Sequence, residues 1–251
     1  IEGDIRDQHT VERAMDDVDV VFHEAAKVSV EDSIQRPLDS HAVNATGTLR
    51  FLEAARNVDA RVVAASSAAI YGHPTETPIP ESEPKTPTSP YGIQKLALDH
   101  YLQQYTELYG LPTVALRYFN VFGPRQQGGD YSGVISIFKK QVKNGDPITV
   151  DGDGGQTRDF IHVSDVVRAN LRTATADVAG EAFNIGTGTS ISIRELAETV
   201  NQLTDGNSEI QHRDPRSGDI RHSEAEISKA RSELGFRPRV SVKEGLRDMM
   251  E

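Results

Sequence analysis

Arg61-Val62-Val63-Ala64-Ala65-Ser66-Ser67, followed after a polar interval by Pro90-Tyr91-Gly92-Ile93-Gln94-Lys95, decides how this chain is read. The first segment is a short run of β-branched and small apolar residues. It reads as a buried strand over Arg61 to Ser66 that delivers Ser66-Ser67-Ala68-Ala69-Ile70-Tyr71-Gly72 at its carboxyl end. The second opens a helical pattern through Leu96, Leu98, Leu102 and Tyr105. Four residues apart on that helix, Tyr91 and Lys95 leave the same face one turn from each other. Between the two segments, His73 to Pro90 is rich in Pro, Glu and Thr and reads as an irregular surface loop.

Helix and strand patterns alternate outward from this centre, which predicts an α/β fold with a parallel sheet. Upstream come a short helix over Thr10 to Met15 capped by Thr10, a strand over Val18 to His23, a loop, and a long helix from Pro37 to Val58. Leu38, Val43, Leu49, Leu52 and Ala55 form the apolar stripe of that long helix. Downstream come a strand at Pro112 to Tyr118, a break at Val121-Phe122-Gly123-Pro124-Arg125 and a loop at Gly128-Gly129-Asp130. The remainder reads as a helix over Val134 to Lys143, a strand at Ile148 to Val150, a helix capped by Ser164 and running to Thr173, and a strand at Ala182 to Ile185. A helix over Thr189 to Leu203 entered through Ser192 follows, and Ser223 to Leu234 is helical. In open parallel sheets ligands sit beyond the carboxyl ends of the strands, where Ser66 and Ser67 are placed.

Composition narrows the classes. The 251 residues carry a formal net charge of -11, from 38 acidic and 27 basic side chains, a balance that repels nucleic-acid backbones. No apolar run reaches the roughly 18 residues of a membrane span, and no secretory leader pattern is present. With Cys 0, neither disulfides nor thiolate metal sites can form. These features describe a soluble cytoplasmic protein with one large domain or a domain and a smaller lobe.

A phenol titrates near ~10 and is a weak base at neutral pH, but a neighbouring ammonium favours its phenolate. Tyr91 beside Lys95, with the Ser67 hydroxyl to share a proton, therefore suggests removal of a proton from an alcohol while hydride leaves its carbon. The competing reading is a surface helix whose Tyr and Lys face water. Arg158 and Arg216 lie in glycine-flanked loops and suit a phosphate group; salt bridges to Asp159 and Asp219 explain them as well. Asp151-Gly-Asp153-Gly lacks the last acidic ligand of a calcium loop. His23 and His162 follow strand-like runs and read as histidines satisfied within the sheet. Ala25 and Ala26 leave room for a flat ligand to approach the backbone, or for a tight helix contact.

Together these residues resemble the extended short-chain dehydrogenase/reductase family, in particular its nucleotide-sugar epimerases and dehydratases. Gly3-Asp4-Ile5-Arg6-Asp7 resembles the adenine-contacting segment, Val21-Phe22-His23-Glu24-Ala25-Ala26 the strand end along the cofactor, and Asn44-Ala45-Thr46-Gly47-Thr48 the structural Asn segment. Ser66 to Gly72 and Tyr91-x-x-x-Lys95 match the catalytic motifs. Arg117-Tyr118-Phe119-Asn120-Val121-Phe122-Gly123-Pro124-Arg125 and Arg158-Asp159-Phe160-Ile161-His162-Val163 match the substrate-domain entry and phosphate clamp, and Arg216-Ser217-Gly218-Asp219 the late nucleotide loop. The matches run in family order across almost the whole chain.

The resemblance implies a Rossmann-type doubly wound parallel sheet over residues 1–121 and 159–188, and a smaller C-terminal α/β lobe for the nucleotide sugar over 122–158 and 189–251. It implies NAD as cofactor, lined by Asp4, Ile5, Ala25, Ala26, Asn44, Ser66, Tyr91, Lys95 and Phe119, and a homodimer through the Pro37–Val58 and Tyr91 helices. Ser67, Asn120, Val134, Thr149, Asp151, Arg158, Arg216, Asp219 and Ser223 would take a UDP-sugar. Family members open with a strand, a glycine-rich loop and a helix that seat the cofactor pyrophosphate, and about fifty such residues have no counterpart here. The sequence therefore reads as a fragment.

Dehydratases of the family carry an acidic pair just after the catalytic Thr, and decarboxylases a Glu; here Ala68 and Ala69 stand there. That implies 4-epimerisation through a 4-keto sugar. A small residue at the Ser223 position implies room for an N-acetyl group on the sugar. Other outcomes on the same fold are a reductase, dehydratase or decarboxylase, or a non-catalytic nucleotide-binding fragment.

Overall fold

The computed structural model describes residues 1–126, 133–204, 208–216 and 218–250. Its elements in chain order are α1 (Gln8–Ala14), β1 (Val20–His23), α2 (Val30–Gln35), α3 (Pro37–His41), α4 (Thr48–Asn57), β2 (Arg61–Ser67), α5 (Pro90–Tyr109), β3 (Thr113–Tyr118) and β4 (Asn120–Phe122). They continue with α6 (Val134–Asn144), β5 (Ile148–Asp151), β6 (Thr157–Arg158), β7 (Phe160–His162), α7 (Val163–Thr175), β8 (Glu181–Ile185) and β9 (Ile191–Ser192). The chain closes with α8 (Ile193–Leu203), β10 (Ile210–Arg213), β11 (His222–Ser223), α9 (Ser228–Glu233) and α10 (Val242–Met250). The loop expected at Gly128-Gly129-Asp130 lies outside the described residues.

β1, β2, β3 and β8 form a parallel sheet in that order. The alternation of a strand sends its side chains to two faces, and in β2 both are dry. Val62 and Ala64 join Phe51, Leu52, Leu98 and Leu102 of α4 and α5 on one face. Val63 meets Leu116, Phe183 and Val166 of α7 on the other. Helices on both faces of a parallel sheet are the doubly wound arrangement expected. A separate apolar cluster joins α6, α8 and α10 around Ile148 and Val150 of β5, with Phe122 and Phe160.

Several boundaries differ from the sequence expectation, each for a local reason. α1 begins at Gln8 because the Asp7 carboxylate caps it, accepting from the His9 amide and the Thr10 hydroxyl. The Pro37–Val58 helix is interrupted by a π-helical turn at Ala42–Gly47, which offsets α3 from α4 and leaves Leu38 84% exposed, off the buried stripe. α2, expected as loop, is capped by Ser29, which accepts from the Asp32 amide. His162, not Ser164, caps α7. Ser192 caps α8 in a reciprocal box with Glu195, while Ile191 and Ser192 pair with β6 as a strand. Ser223 is likewise a strand residue, registered against Arg158, and the helix expected from Ser223 starts only at Ser228.

Candidate active site

β2 ends at Ser67 beside Tyr118 of β3, and α5 starts above them. Ser89 caps α5 by accepting from the Gly92 amide, and Pro90 supplies the fixed φ of the first turn. Gly92 explains how Tyr91 comes so near the strand end. A Cβ at that position would stand 2.7 Å from the Ala69 carbonyl oxygen, so the helix N-terminus seats against the turn after β2 only because residue 92 has no side chain. The Tyr91 amide donates to Ser33 Oγ at 3.1 Å, fastening the same turn to α2.

Tyr91 and Lys95 are both buried, at 8% and 4% exposure, which rejects the surface-helix reading. Lys95 Nζ lies 5.9 Å from the Tyr91 ring centroid and donates to the Ala65 carbonyl at 2.5 Å. Burial penalises its ammonium and lowers its pKa to about 8, against the pull of Glu24 and Asp99. The sequence argument expected Lys95 to draw the Tyr91 phenol downward. Instead burial raises the phenol, and the Ser67 hydroxyl is what opposes the rise. Ser67 itself accepts from the Ala69 amide at 3.2 Å. Ser66 Oγ is buried without a hydrogen-bond partner among the described residues.

Asn44 sits in the π-helical turn with its amide committed to the protein. It donates to the Lys27 carbonyl and to Gln94 Oε1, each at 2.8 Å, and accepts from the Lys27 amide. It thereby ties the loop after Ala25 and Ala26 to α5. Phe119 is buried with Ile70, Tyr71 and Ile79, so its ring belongs to a core. Asp4 is held by Arg6, which lowers its pKa to about 2. Ile5 lies against the helix bearing Gly47, where a Cβ would come within 2.8 Å of it.

The second set of residues gathers around β5, β6 and β11. A cleft of about 410 Å³ there is lined by Asp151, Asp153, Gln156, Arg216, Asp219 and Arg221. Of the two carboxylates that the sequence suggests as salt-bridge partners, Asp219 is used and Asp159 is not. Arg158 pairs with Asp219, and Arg216 lies 3.8 Å from Asp151, which also pairs with Arg213. Asp159 is fully buried and accepts from Thr187, Gly188 and Ala225, so it serves the backbone rather than Arg158. Asp153 binds Arg221 through both oxygens, at 2.8 and 2.9 Å. Thr149 is held by Gln141, Val134 packs on the cluster around α6, and Asn120 donates its amide to the Asp159 carbonyl. Ser223 is buried beside Arg158; Ser217 lies outside the described residues.

His23 bears out the satisfied-histidine reading. Its Nε2 is 3.0 Å from Thr48 Oγ1, its ring stacks on Phe51, and burial lowers its pKa to about 4. His162 Nδ1 is 2.8 Å from Ser164 Oγ. Sequence reasoning missed Arg213 and Arg221, whose only signal was their Arg-Asp-rich surroundings. It also missed the hydrogen bond from the Tyr118 hydroxyl to Glu24, whose partners are distant in sequence.

A family model for the NAD dependent epimerase/dehydratase family matches residues 1–186. The chain belongs to that family. A putative UDP-glucose 4-epimerase of Methanocaldococcus jannaschii is 39% identical over 98% of this chain and 81% of its own length. The solved UDP-N-acetylglucosamine 4-epimerase of Methanobrevibacter ruminantium superposes with a TM-score of 0.96 at 38% identity, over 100% of this chain and 81% of the other. A human dTDP-D-glucose 4,6-dehydratase is 34% identical over 100% of this chain and 73% of its own. The chain is thus a nucleotide-sugar epimerase/dehydratase with a Rossmann-like fold, and NAD is the family's cofactor.

The residues present fit the reactive end of that cofactor. An ammonium can donate three hydrogen bonds, and among the described residues Lys95 Nζ spends one on protein, at Ala65. Among the described residues the neighbouring Ser66 hydroxyl is unpartnered, and Ala25 and Ala26, just beyond Glu24 at the end of β1, carry only methyl side chains.

Proposed function

We propose that this chain catalyses 4-epimerisation of a UDP-hexose, UDP-glucose to UDP-galactose, with tolerance for UDP-N-acetylglucosamine. One observation carries the reading: at the buried end of β2, Ser67, Tyr91 and Lys95 converge, while the adjoining Ala68 and Ala69 offer no acid or base. NAD, when bound, supplies the two-electron oxidation and reduction at C4. The chain's own work is proton transfer and holding. Burial disfavours the Tyr91 phenolate, which the Lys95 ammonium and the positive ring of bound NAD would favour; Tyr91 then takes the proton from O4 and later returns it, and Ser67 shares the proton between phenol and sugar. With alanines at 68 and 69, no side chain stands there to move a proton elsewhere on the ring, so the sugar regains its hydroxyl with either configuration instead of losing water.

Arg158 and Arg216 take the diphosphate by exchanging their carboxylate partners for phosphate oxygens, whose planar bidentate match to guanidinium is at least as good. Asp219, Asp151, Thr149, Val134 and Asn120 complete the nucleotide-sugar side, with buried Ser223 leaving space at C2. Asp4 and Ile5 lie toward the adenosine end of NAD. On this reading residues 1–121 with 159–188 carry the cofactor and 122–158 with 189–251 the sugar. The enzyme acts in the cytoplasm as a homodimer through the Pro37–Val58 segment and the Tyr91 helix, which expose Leu38, Ile93 and Leu108.

The test is to incubate the chain with UDP-glucose and, separately, with UDP-N-acetylglucosamine, NAD supplied, and to follow C4 by NMR. The galacto epimer is expected from both. A 4-keto-6-deoxy product, or net NADH accumulation without epimer, would overturn the assignment.

A further inference from the structure

At the carboxyl end of β2, on the side facing α5, lies a buried polar chain that the epimerase reading leaves unused. Arg117 of β3 registers against Ser66 of β2 and Asn184 of β8, one residue short of the level of Ser67. The side chain is buried, and its guanidinium has separate holds on two elements. Nε donates to Asp99 Oδ2 of α5 at 2.7 Å, and one terminal nitrogen donates to the Tyr71 hydroxyl at 2.9 Å and to the Glu81 carbonyl at 3.1 Å. Tyr71 closes the turn that follows Ser67, its amide donating to the Ala68 carbonyl at 3.1 Å. Its hydroxyl proton goes to Asn184 Oδ1 at 2.7 Å, which leaves the oxygen as an acceptor toward Arg117. The Asp99 carboxylate has no other hydrogen-bond partner among the described residues.

We propose that Arg117 is a positioning residue, which by gripping Asp99 and Tyr71 together fixes α5 against the turn after β2 and so holds Tyr91 opposite Ser67. Two points of attachment are needed to fix both the slide and the tilt of one element on another. The first is at the helix head, where Gly92 sits against the Ala69 carbonyl. The second is Asp99, seven residues on and about 10 Å along the helix axis. Apart from Ser67 itself, Arg117 is the one residue among those described that is hydrogen-bonded both to residues 68–72 and to α5. A buried ion pair adds little stability over apolar side chains of equal volume, so what this pair contributes is a fixed geometry. The forked guanidinium matters to that geometry. A lysine offers one compact ammonium and cannot reach Asp99 and Tyr71 in the two directions that Nε and the terminal nitrogen take.

The consequence for turnover rests on the proposed proton transfer between Tyr91 and the sugar; the consequence for local order does not. Arg117→Ala would leave Asp99 as an uncompensated buried charge and threaten the fold. The test therefore uses Arg117→Lys, which keeps the charge, and Tyr71→Phe, which keeps the ring. Each, and the two combined, is compared with wild type by amide hydrogen exchange read residue by residue and by kcat and KM for UDP-glucose with NAD supplied, melting curves checking the fold. Exchange at the Ala69 and Tyr91 amides, which donate to Ser67 and Ser33, should quicken about tenfold, with Val63 and Leu116 in the strands unmoved. kcat should fall about 10–100-fold with KM within about threefold, and the double variant should fall no further than the worse single one. An Arg117→Lys variant that matches wild type in both exchange and kcat, or losses that add in the double variant, would overturn the proposal. Faster exchange with an unchanged kcat upholds the positioning and overturns instead the proton-transfer roles of Ser67 and Tyr91. If wild type makes no epimer, the proposed function fails, and the exchange rates alone uphold or overturn the role of Arg117.

Discussion

The two halves of the site handle charge in opposite ways. At the sheet end, Lys95 is almost wholly dry and meets one backbone carbonyl. Around β5 and β11, Arg213, Arg216 and Arg221 are more than half exposed and face Asp151 and Asp153. In the first region desolvation shifts proton affinities in opposite directions, lowering that of Lys95 toward neutral pH and raising that of Tyr91. Solvated arginine–carboxylate pairs are individually weak and exchange partners readily, so the second can trade a carboxylate for a phosphate without leaving a buried charge bare. On the proposed function, chemistry and grip are separated by how much water each is allowed.

The sharpest break of that contrast is at Tyr91. Tyr91→Phe removes one oxygen and should lower kcat by about 10³-fold or more, the range of a general base, with KM and melting temperature nearly unchanged. Retained turnover would move the proton transfer to another group.

Lys95 allows the dryness itself to be measured. The unfolded chain keeps this lysine's proton up to about 10.5, whereas the fold releases it near 8. Between those values the unfolded state binds more protons, so stability rises with pH; below about 8 the burial cost of the ammonium stands in full, on the order of 3 kcal/mol. Lys95→Met, which has no charge to desolvate, should therefore gain on wild type most at pH 7 and lose that advantage by pH 11, while turnover falls. Urea midpoints at the two pH values decide it; a stability difference independent of pH would mean that Lys95 is not desolvated.

How much of this could be read from the sequence follows from the range of the interactions. The sheet, its parallel order and the convergence of Ser67 with Tyr91 depend on local apolar patterns and on the rule that strand ends gather ligands, and both were visible. The π-helical turn was not. It depends on Asn44 reaching Lys27 and Gln94, seventeen and fifty residues away. The partners of the arginines were misassigned for the same reason. Proximity in sequence suggested Asp159 for Arg158, but Asp159 is drawn inward by four donors from Thr187, Gly188 and Ala225, and Arg158 turns to Asp219, sixty-one residues on. Glu24 carried no signal of its own, because its tether, Tyr118, lies ninety-four residues on.

The arginines test the gentler side of the comparison, and they should differ from each other. The Arg158 side chain is 14% exposed and that of Arg216 71%. A charge-assisted contact sheltered from water contributes about 1.5–3 kcal/mol, whereas an exposed one contributes about 1 kcal/mol or less. Arg158→Ala should accordingly raise KM for the UDP-sugar by about 10–100-fold, and Arg216→Ala by a few-fold, a loss that added salt in the wild type largely reproduces. Both should leave kcat nearly intact, because grip on the diphosphate is the same in the ground and transition states. If Arg158→Ala lowered kcat as much as it raised KM, the diphosphate contact would be tightening during the reaction. The division between a dry region for chemistry and a wet one for holding would then fail at its most buried arginine.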